Sequence, residues 1–388
     1  MPKSEPTAHD ALSDLAAKLL EVFDEGVPAV IRDAASPFST EMVFDWIRTV
    51  HTPASCGTGA KKIDAVKRSW GLSPSATDAN APDPGRPLEL YRAGAVLLDP
   101  SPFVPSSAHQ SFEDWVDQTR ERLGPDFGAM APNLECASWQ ALEHLQALLT
   151  PVLSRTGPRS FRYNAFLGDY RRTPFGYHLD PHQECVFQFV LHGTRTGRFW
   201  EGLILGEEDA AWIEDPNHRT KAPRRPDLEV ELSPGDVVFW PGTHLHGFDT
   251  QGPSLALSLV IDRTSPQPRD QVVSSLQLAT LGGQAALPPV DEGTNLDPTA
   301  PLRRRPHARL QFECHDDDLV VGVCGRTFVW PDRASQSDAM DLLRALQHTD
   351  GAIPDDLTRT FSSKALERDD ILGLLSTLGE LGYFAATG

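Results

Sequence analysis

The chain reads as a mainly β core set between a helical N-terminal region and a small C-terminal α+β domain of winged-helix-like character. Three observations lead there. Residues 1–150 carry apolar side chains mostly at helical spacing, and residues 161–262 break into short runs rich in Val, Phe, Leu and Trp between Gly and Pro turns. Residues 303–388 combine two strand-like runs with further helical repeats. The middle texture is that of an antiparallel sandwich or small barrel.

In the first region, Leu12, Leu15, Leu19 and Val22 or Phe23 recur at helical spacing, and Gly26 stands where that helix stops. The segment VPAVIRDAA reads as a short buried strand. Ser39 then caps a helix carrying Met42, Val43, Trp46 and Ile47. Residues 73–87, SPSATDANAPDPGRP, have loop composition. A helix around Phe112, Trp115, Val116 and Leu123 follows, then another from Ser138 to Leu149, stopped near Pro151. Residues 1–150 are therefore expected to be a helical region packed on a core at 151–263. Pro266, Pro268, Gly282-Gly283 and Pro288-Pro289 make 264–302 a connection around one helix near Val272 to Leu281. The C-terminal domain, 303–388, has strand-like runs at Leu310–Cys314 and Leu319–Val323. Helical stripes follow at Ala339, Leu342, Leu343 and Leu346, and at Ile371, Leu374, Leu375 and Leu378.

Composition narrows the function. With 388 residues, Lys+Arg 35 against Asp+Glu 54, a net charge of −19 and 40% hydrophobic residues, the chain has material for two or three compact domains and is not a disordered polypeptide. The longest basic run is Arg303-Arg304-Arg305, so no nucleic-acid partner is expected. No apolar run is long enough to span a bilayer, and MPKSEPTAHD lacks a secretory apolar stretch, so the expectation is a cytoplasmic protein without a membrane partner. Five cysteines, odd in number and without a CxxC pair, read as buried free thiols rather than disulfides or a zinc ribbon.

The chemistry concentrates in GYHLDPH, residues 176–182, and LSPGDVVFWPGTHLHGF, residues 232–248. His178 and Asp180 are two apart, so on extended backbone both project from one face. Pro234-Gly235 turns the chain into a buried strand ending at Pro241, and His246 lies just beyond. Two imidazoles and one carboxylate on one side of a metal leave the opposite positions open, the arrangement of non-haem Fe(II) oxygenases. His182, His192 and His244 crowd the same region, and His244 shares strand parity with His246 as an alternate ligand or supporting group. Tyr177 and Trp240 flank the metal strands and read as core packing or pocket wall.

These segments resemble the JmjC-type cupin oxygenases, closest to their bacterial ribosomal-oxygenase branch. The anchors are Asn164-Ala165-Phe166, His178-Leu179-Asp180, the strand Val186 to Gly193 followed by Arg195, Pro234-Gly235-Asp236, and His246. The resemblance implies a double-stranded β-helix (cupin or jelly-roll) core with Fe(II) on His178, Asp180 and His246. It also implies 2-oxoglutarate held by Arg195, whose planar fork matches a carboxylate. Arg198 competes with Arg195 for that role, and Asn164 is implied to orient cosubstrate or substrate. Phe166 departs from the pattern, offering no hydroxyl where the family often has Tyr. The interval from His178 to Arg195 is also longer than the usual form, and His192 precedes the glycine.

The reaction implied is hydroxylation of a C–H bond with conversion of 2-oxoglutarate to succinate. The implied substrate is a protein or peptide side chain. The acidic balance of the chain favours a basic one. The stretch 264–302 sits where such proteins often form homodimers. Two other classes stand beside this one: a cupin metalloenzyme that does not use 2-oxoglutarate, and a non-catalytic cupin binding module.

Overall fold

The structure is a computed structural model. It describes residues 8–51, 88–137, 161–201, 225–263 and 297–385, apart from a few short gaps, with scattered positions between 141 and 155. The loop expected at 73–87 and the helix expected at 272–281 lie outside the described residues, as does most of the helix expected at 138–149. The chain divides into two compact units, one of residues 1–137 with 162–263, the other of 138–161 with 264–388.

The first unit opens with helix α1 (Ala8–Glu25), strand β1 (Ala29–Ile31) and helix α2 (Thr40–Val50). Ser39 caps α2 by accepting a hydrogen bond from the Met42 N–H, and Val43, Phe44, Trp46 and Ile47 form its buried face. Next come β2 (Glu89–Arg92), β3 (Ala95–Val96), helix α3 (Phe112–Leu123) and β4 (Phe127–Pro132). The central strands are β5 (Phe161–Asp169), β6 (Glu184–His192), β7 (Arg195–Trp200), β8 (Leu228–Leu232), β9 (Val237–Pro241), β10 (Leu245–Thr250) and β11 (Pro253–Asp262).

These strands make two sheets. One has eight strands in the order β1-β9-β6-β11-β5-β4-β2-β3, and the other has three in the order β10-β7-β8. Val186, Val190, Val238, Trp240 and Val260 of the large sheet pack on Phe199, Leu232 and Phe248 of the small one, so the two sheets face each other across a shared interior. The opposite face of the large sheet is covered too. Phe38 lies edge-on to Tyr163 and Phe189, and Trp46 of α2 stacks on Tyr163. A sheet covered on both faces explains why β6, β9 and β11 read as nearly continuous apolar runs. This is the expected double-stranded β-helix.

The described residues before 138 are less helical than their spacing suggests, because β1 to β4 extend the large sheet on both of its edges. β4 is buried along its whole length by FGAMAP, a run too small and too rich in Gly, Ala and Pro to show strand propensity.

The second unit contains β12 (Arg303–Arg304), β13 (Leu310–His315), β14 (Asp318–Val323), β15 (Arg326–Val329), helices α4 (Gln336–His348), α5 (Pro354–Phe361) and α6 (Arg368–Glu380), and β16 (Phe384–Ala385). β13, β14 and β15 form an antiparallel meander, and β12 pairs with β16. Its core contains Leu319, Val321, Leu342, Leu346, Ile371 and Leu375, which include members of both Leu stripes seen in the sequence. Cys185 is a buried thiol as expected, but Cys314 is exposed, near the end of β13, where its Sγ meets the Met340 sulfur at 3.5 Å. Among the described residues, no helix is long and apolar enough to cross a membrane.

Candidate metal centre

Close approach of two backbone segments builds the centre. His178 and His246 form an antiparallel bridge, each N–H donating to the other's carbonyl at 3.0 Å. Two glycines permit it. A Cβ on Gly242 would lie 2.1 Å from the Pro181 carbonyl oxygen, and one on Gly247 would lie 2.3 Å from the Tyr177 ring. Without side chains there, the segment 176–181 lies flat against the start of β10.

The two imidazoles then meet with ring centroids 4.3 Å apart. His178 Nε2 is 3.8 Å from Asp180 Oδ1, and His246 Nε2 is 3.7 Å from Asp180 Oδ2. Among the described residues these three form a group whose donor atoms all lie within 4.8 Å of one another. The other ring nitrogens are occupied: His178 Nδ1 meets the Gly176 carbonyl and His246 Nδ1 the His244 carbonyl, each at 3.1 Å. A carbonyl only accepts, so each Nδ1 carries the proton and each Nε2 turns its lone pair to the centre.

The electrostatics suit a cation. Burial and the neighbouring His178 push His246 down to about 4, against the pull of Asp180, so its ring is neutral at pH 7. Burial opposes the charge on Asp180, but His246, His178, the Trp240 N–H and Arg162 together hold its carboxyl below the ordinary range. The Trp240 indole N–H donates to Asp180 Oδ2 at 3.0 Å, and its ring lies 4.7 Å from that of His246. Trp240 is thus core packing and carboxylate holder at once.

Further into the interior, Arg195 is 2% exposed. It donates to Ser254 Oγ (2.7 Å), Gln188 Oε1 (3.3 Å), the Phe166 carbonyl (3.0 Å) and Tyr170 Oη (2.9 Å). Arg198, its competitor in the sequence, lies three residues along the strand, leaves from the opposite face and is paired with Glu229 and Asp249. Asn164 is buried, and its Oδ1 has no hydrogen-bond partner.

Residues 141–268 match the family profile described as "JmjC domain". That stretch resembles a JmjC domain. None of the curated proteins compared matches it in sequence. Among solved structures, the chain overlays on the Escherichia coli ribosomal oxygenase YcfD with 13% identity and a TM-score of 0.42, covering 94% of this chain and 97% of that one. YcfD in complex with cobalt and 2-oxoglutarate overlays with 13% identity and a TM-score of 0.41, covering 95% and 98%. A hydroquinone 1,2-dioxygenase from a Sphingomonas species with 4-hydroxybenzoate bound overlays with 14% identity and a TM-score of 0.20, over 27% of this chain and 60% of that one.

Three other described histidines, His182, His192 and His244, stand apart from the convergent group. His244 Nδ1 shares a hydrogen bond with Thr243, His192 faces Glu113 at 3.2 Å, and His182 is exposed. Sequence reasoning missed Ser254, Gln188 and Tyr170 around Arg195. They come from three separate strands or strand ends, and no spacing rule links them.

Proposed function

We propose that the protein is an Fe(II)- and 2-oxoglutarate-dependent oxygenase that hydroxylates a side chain of a protein or peptide. One observation carries this reading: the same interior presents three convergent donors, His178, Asp180 and His246, and a buried guanidinium, Arg195, that no carboxylate among the described residues neutralises. A buried unpaired cation is costly, so it is retained where an anion is to be received.

The donor set fits the metal. Two imidazoles and one carboxylate suit a divalent first-row ion and would occupy one side of its coordination sphere. When bound, Fe(II) with 2-oxoglutarate and dioxygen supplies the oxidising chemistry, the keto acid leaving as succinate and carbon dioxide. The chain's own groups do the remaining work. Trp240 fixes the Asp180 carboxylate, and the two backbone carbonyls fix the imidazole tautomers. Arg195 receives the carboxylate far from the metal. Val186, Phe199, Val238 and Phe248 form a dry wall that excludes water from the reacting centre. Asn164 offers its unsatisfied amide to whatever lies between the sheets. The net charge of −19 raises the local concentration of a cationic polypeptide, which makes a basic substrate the best fit.

The test is anaerobic loading of the full chain with Fe(II), then oxygen uptake and succinate release with 2-oxoglutarate, alongside mass spectrometry of basic peptides for the gain of one oxygen atom. His178→Ala is expected to abolish both. Failure to bind the metal would overturn the reading. Oxygen uptake that ignores 2-oxoglutarate would replace it with a cupin metalloenzyme of another kind, as the missing hydroxyl at Phe166 would suit.

A further inference from the structure

β5 alternates between two faces. Tyr163 stacks on Trp46 of α2, so Arg162, Asn164 and Phe166 turn to the interior between the sheets. On β6 that face carries Glu184 and Val186, and Val186 stands opposite Trp240, whose indole holds Asp180. β11 lies between β6 and β5, and its Asp262 stands opposite Glu184. Glu184 follows Asp180 by four residues, and a turn folds it back. Its N–H donates to the Pro181 carbonyl at 2.8 Å, and its own carbonyl accepts from the Gly242 N–H at 2.7 Å.

Glu184 is therefore a second acidic side chain beside the proposed metal carboxylate. Burial pushes its carboxyl above the ordinary range, Arg162 pulls it down, and Asp180 and Asp262 push it further up. Its partner is Arg162, which reaches across β11 and donates from Nη2 to both carboxylate oxygens at 2.8 Å. The side chain of Glu184 is 12% exposed and that of Arg162 38%, so the pair sits at the edge of the interior. Held there, Glu184 is not among the three residues whose donor atoms converge.

We infer that Arg162 is a positioning residue that acts through Glu184: by holding this carboxylate it keeps a fourth protein ligand off the metal and preserves the open positions that a chelating 2-oxo acid needs. The inference rests on the oxygenase reading above. A mostly buried carboxylate stripped of its partner turns to the strongest positive charge within reach, and a divalent ion beside Asp180 is that charge. The consequence has a diagnostic sign. Loss of a supporting residue ordinarily weakens metal binding, whereas loss of Arg162 tightens it and weakens binding of the cosubstrate.

The experiment is calorimetry on the metal-stripped full chain with Mn(II), then on the Mn(II)-loaded chain with 2-oxoglutarate under anaerobic conditions. Mn(II)-bound waters are counted by line broadening of the electron paramagnetic resonance spectrum in oxygen-17 water. Arg162→Met is expected to lower the Kd for Mn(II) about tenfold, raise that for 2-oxoglutarate about tenfold and remove one bound water. Adding Glu184→Gln to it should reverse all three changes. Arg162→Lys, whose ammonium also donates from a single nitrogen, should stay within about twofold of the unaltered chain. Weaker or unchanged Mn(II) binding in Arg162→Met refutes the role of Arg162, and so does tighter binding with an unchanged water count, because only the field has then altered. If Arg162→Met does not fold, Glu184→Gln alone carries the test: an unchanged water count is expected, and one water gained shows Glu184 already on the ion and refutes the proposal. An unaltered chain that binds no Mn(II), or binds it and ignores 2-oxoglutarate, overturns the oxygenase reading itself.

Discussion

Trp240→Phe isolates the single hydrogen bond that orients the proposed metal carboxylate. The indole N–H lies 3.0 Å from Asp180 Oδ2, while the ring fills space 4.7 Å from His246 and 5.7 Å from Phe199. Phenylalanine keeps most of the packing and removes the donor. A hydrogen bond to a charged group contributes about 1.5–3 kcal/mol, and removal of a partner that orients a ligand typically costs about 10–100-fold in metal affinity. The two figures agree, because 1.4 kcal/mol is about a factor of ten. Calorimetric titration of the metal-stripped chain with Mn(II) should therefore show affinity reduced about 10–100-fold. Val238→Ala provides the control, since it opens a cavity in the same apolar cluster without touching Asp180. It should lower stability by about 2 kcal/mol and leave metal affinity within about twofold. If Trp240→Phe binds Mn(II) as the unaltered chain does, or if Val238→Ala weakens binding equally, the indole does not position the carboxylate and the argument for it is wrong.

Three other outcomes are expected. Arg195→Met should weaken 2-oxoglutarate binding about 100-fold by calorimetry, because it removes one partner of a desolvated charge pair, whereas Arg198→Gln, on the outer face, should leave binding unchanged. Gly247→Ala places a Cβ 2.3 Å from the Tyr177 ring, so it should lower the thermal midpoint by the equivalent of about 1–3 kcal/mol and weaken Mn(II) binding at least tenfold, as the His178 segment is pushed off β10. His51, pushed by burial from 6.5 down to about 4 against the pull of its Pro132 carbonyl partner, holds its proton less well folded than unfolded. Its contribution is complete above about pH 6.5 and is lost as pH falls toward 4, about 3 kcal/mol in all, and denaturant melts of His51→Gln should lack that part of the pH dependence.

The parts of the centre that were legible in the sequence are those fixed by local geometry. His178 and Asp180 share a face because a strand alternates with period two, and Pro234-Gly235 and Pro241 bracket β9 closely enough to put His246 at the start of the next strand. The same alternation sends Arg195 and Arg198 to opposite faces once the strand is placed. Its placement depends on the hairpin turning at Gly193, where φ is +71°, and on Arg195 pairing with Thr250. GTRTGR offers two glycines, and sequence alone does not say which one turns.

What was illegible depends on pairs of residues far apart in the chain. Asp180 and Trp240 are 60 residues apart, Arg195 and Ser254 59, and Tyr170 and Arg195 25, and in each case the contact exists only because two sheets close on one another. A tryptophan in a β core is most simply read as packing, and a tyrosine at a strand end as nothing in particular. Their polar atoms acquire direction only when burial removes water as an alternative partner. The strands β2 and β4 escaped for the complementary reason. ELYR and FGAMAP lack any alternation of apolar and polar residues, because they join a sheet whose two faces are both covered and so have no solvent side to mark. The proposed metal ligands announced themselves by spacing, whereas the residues that would orient them are specified by closure of the fold. Metal affinity in this chain is therefore expected to respond to a substitution at Trp240 that leaves His178, Asp180 and His246 untouched.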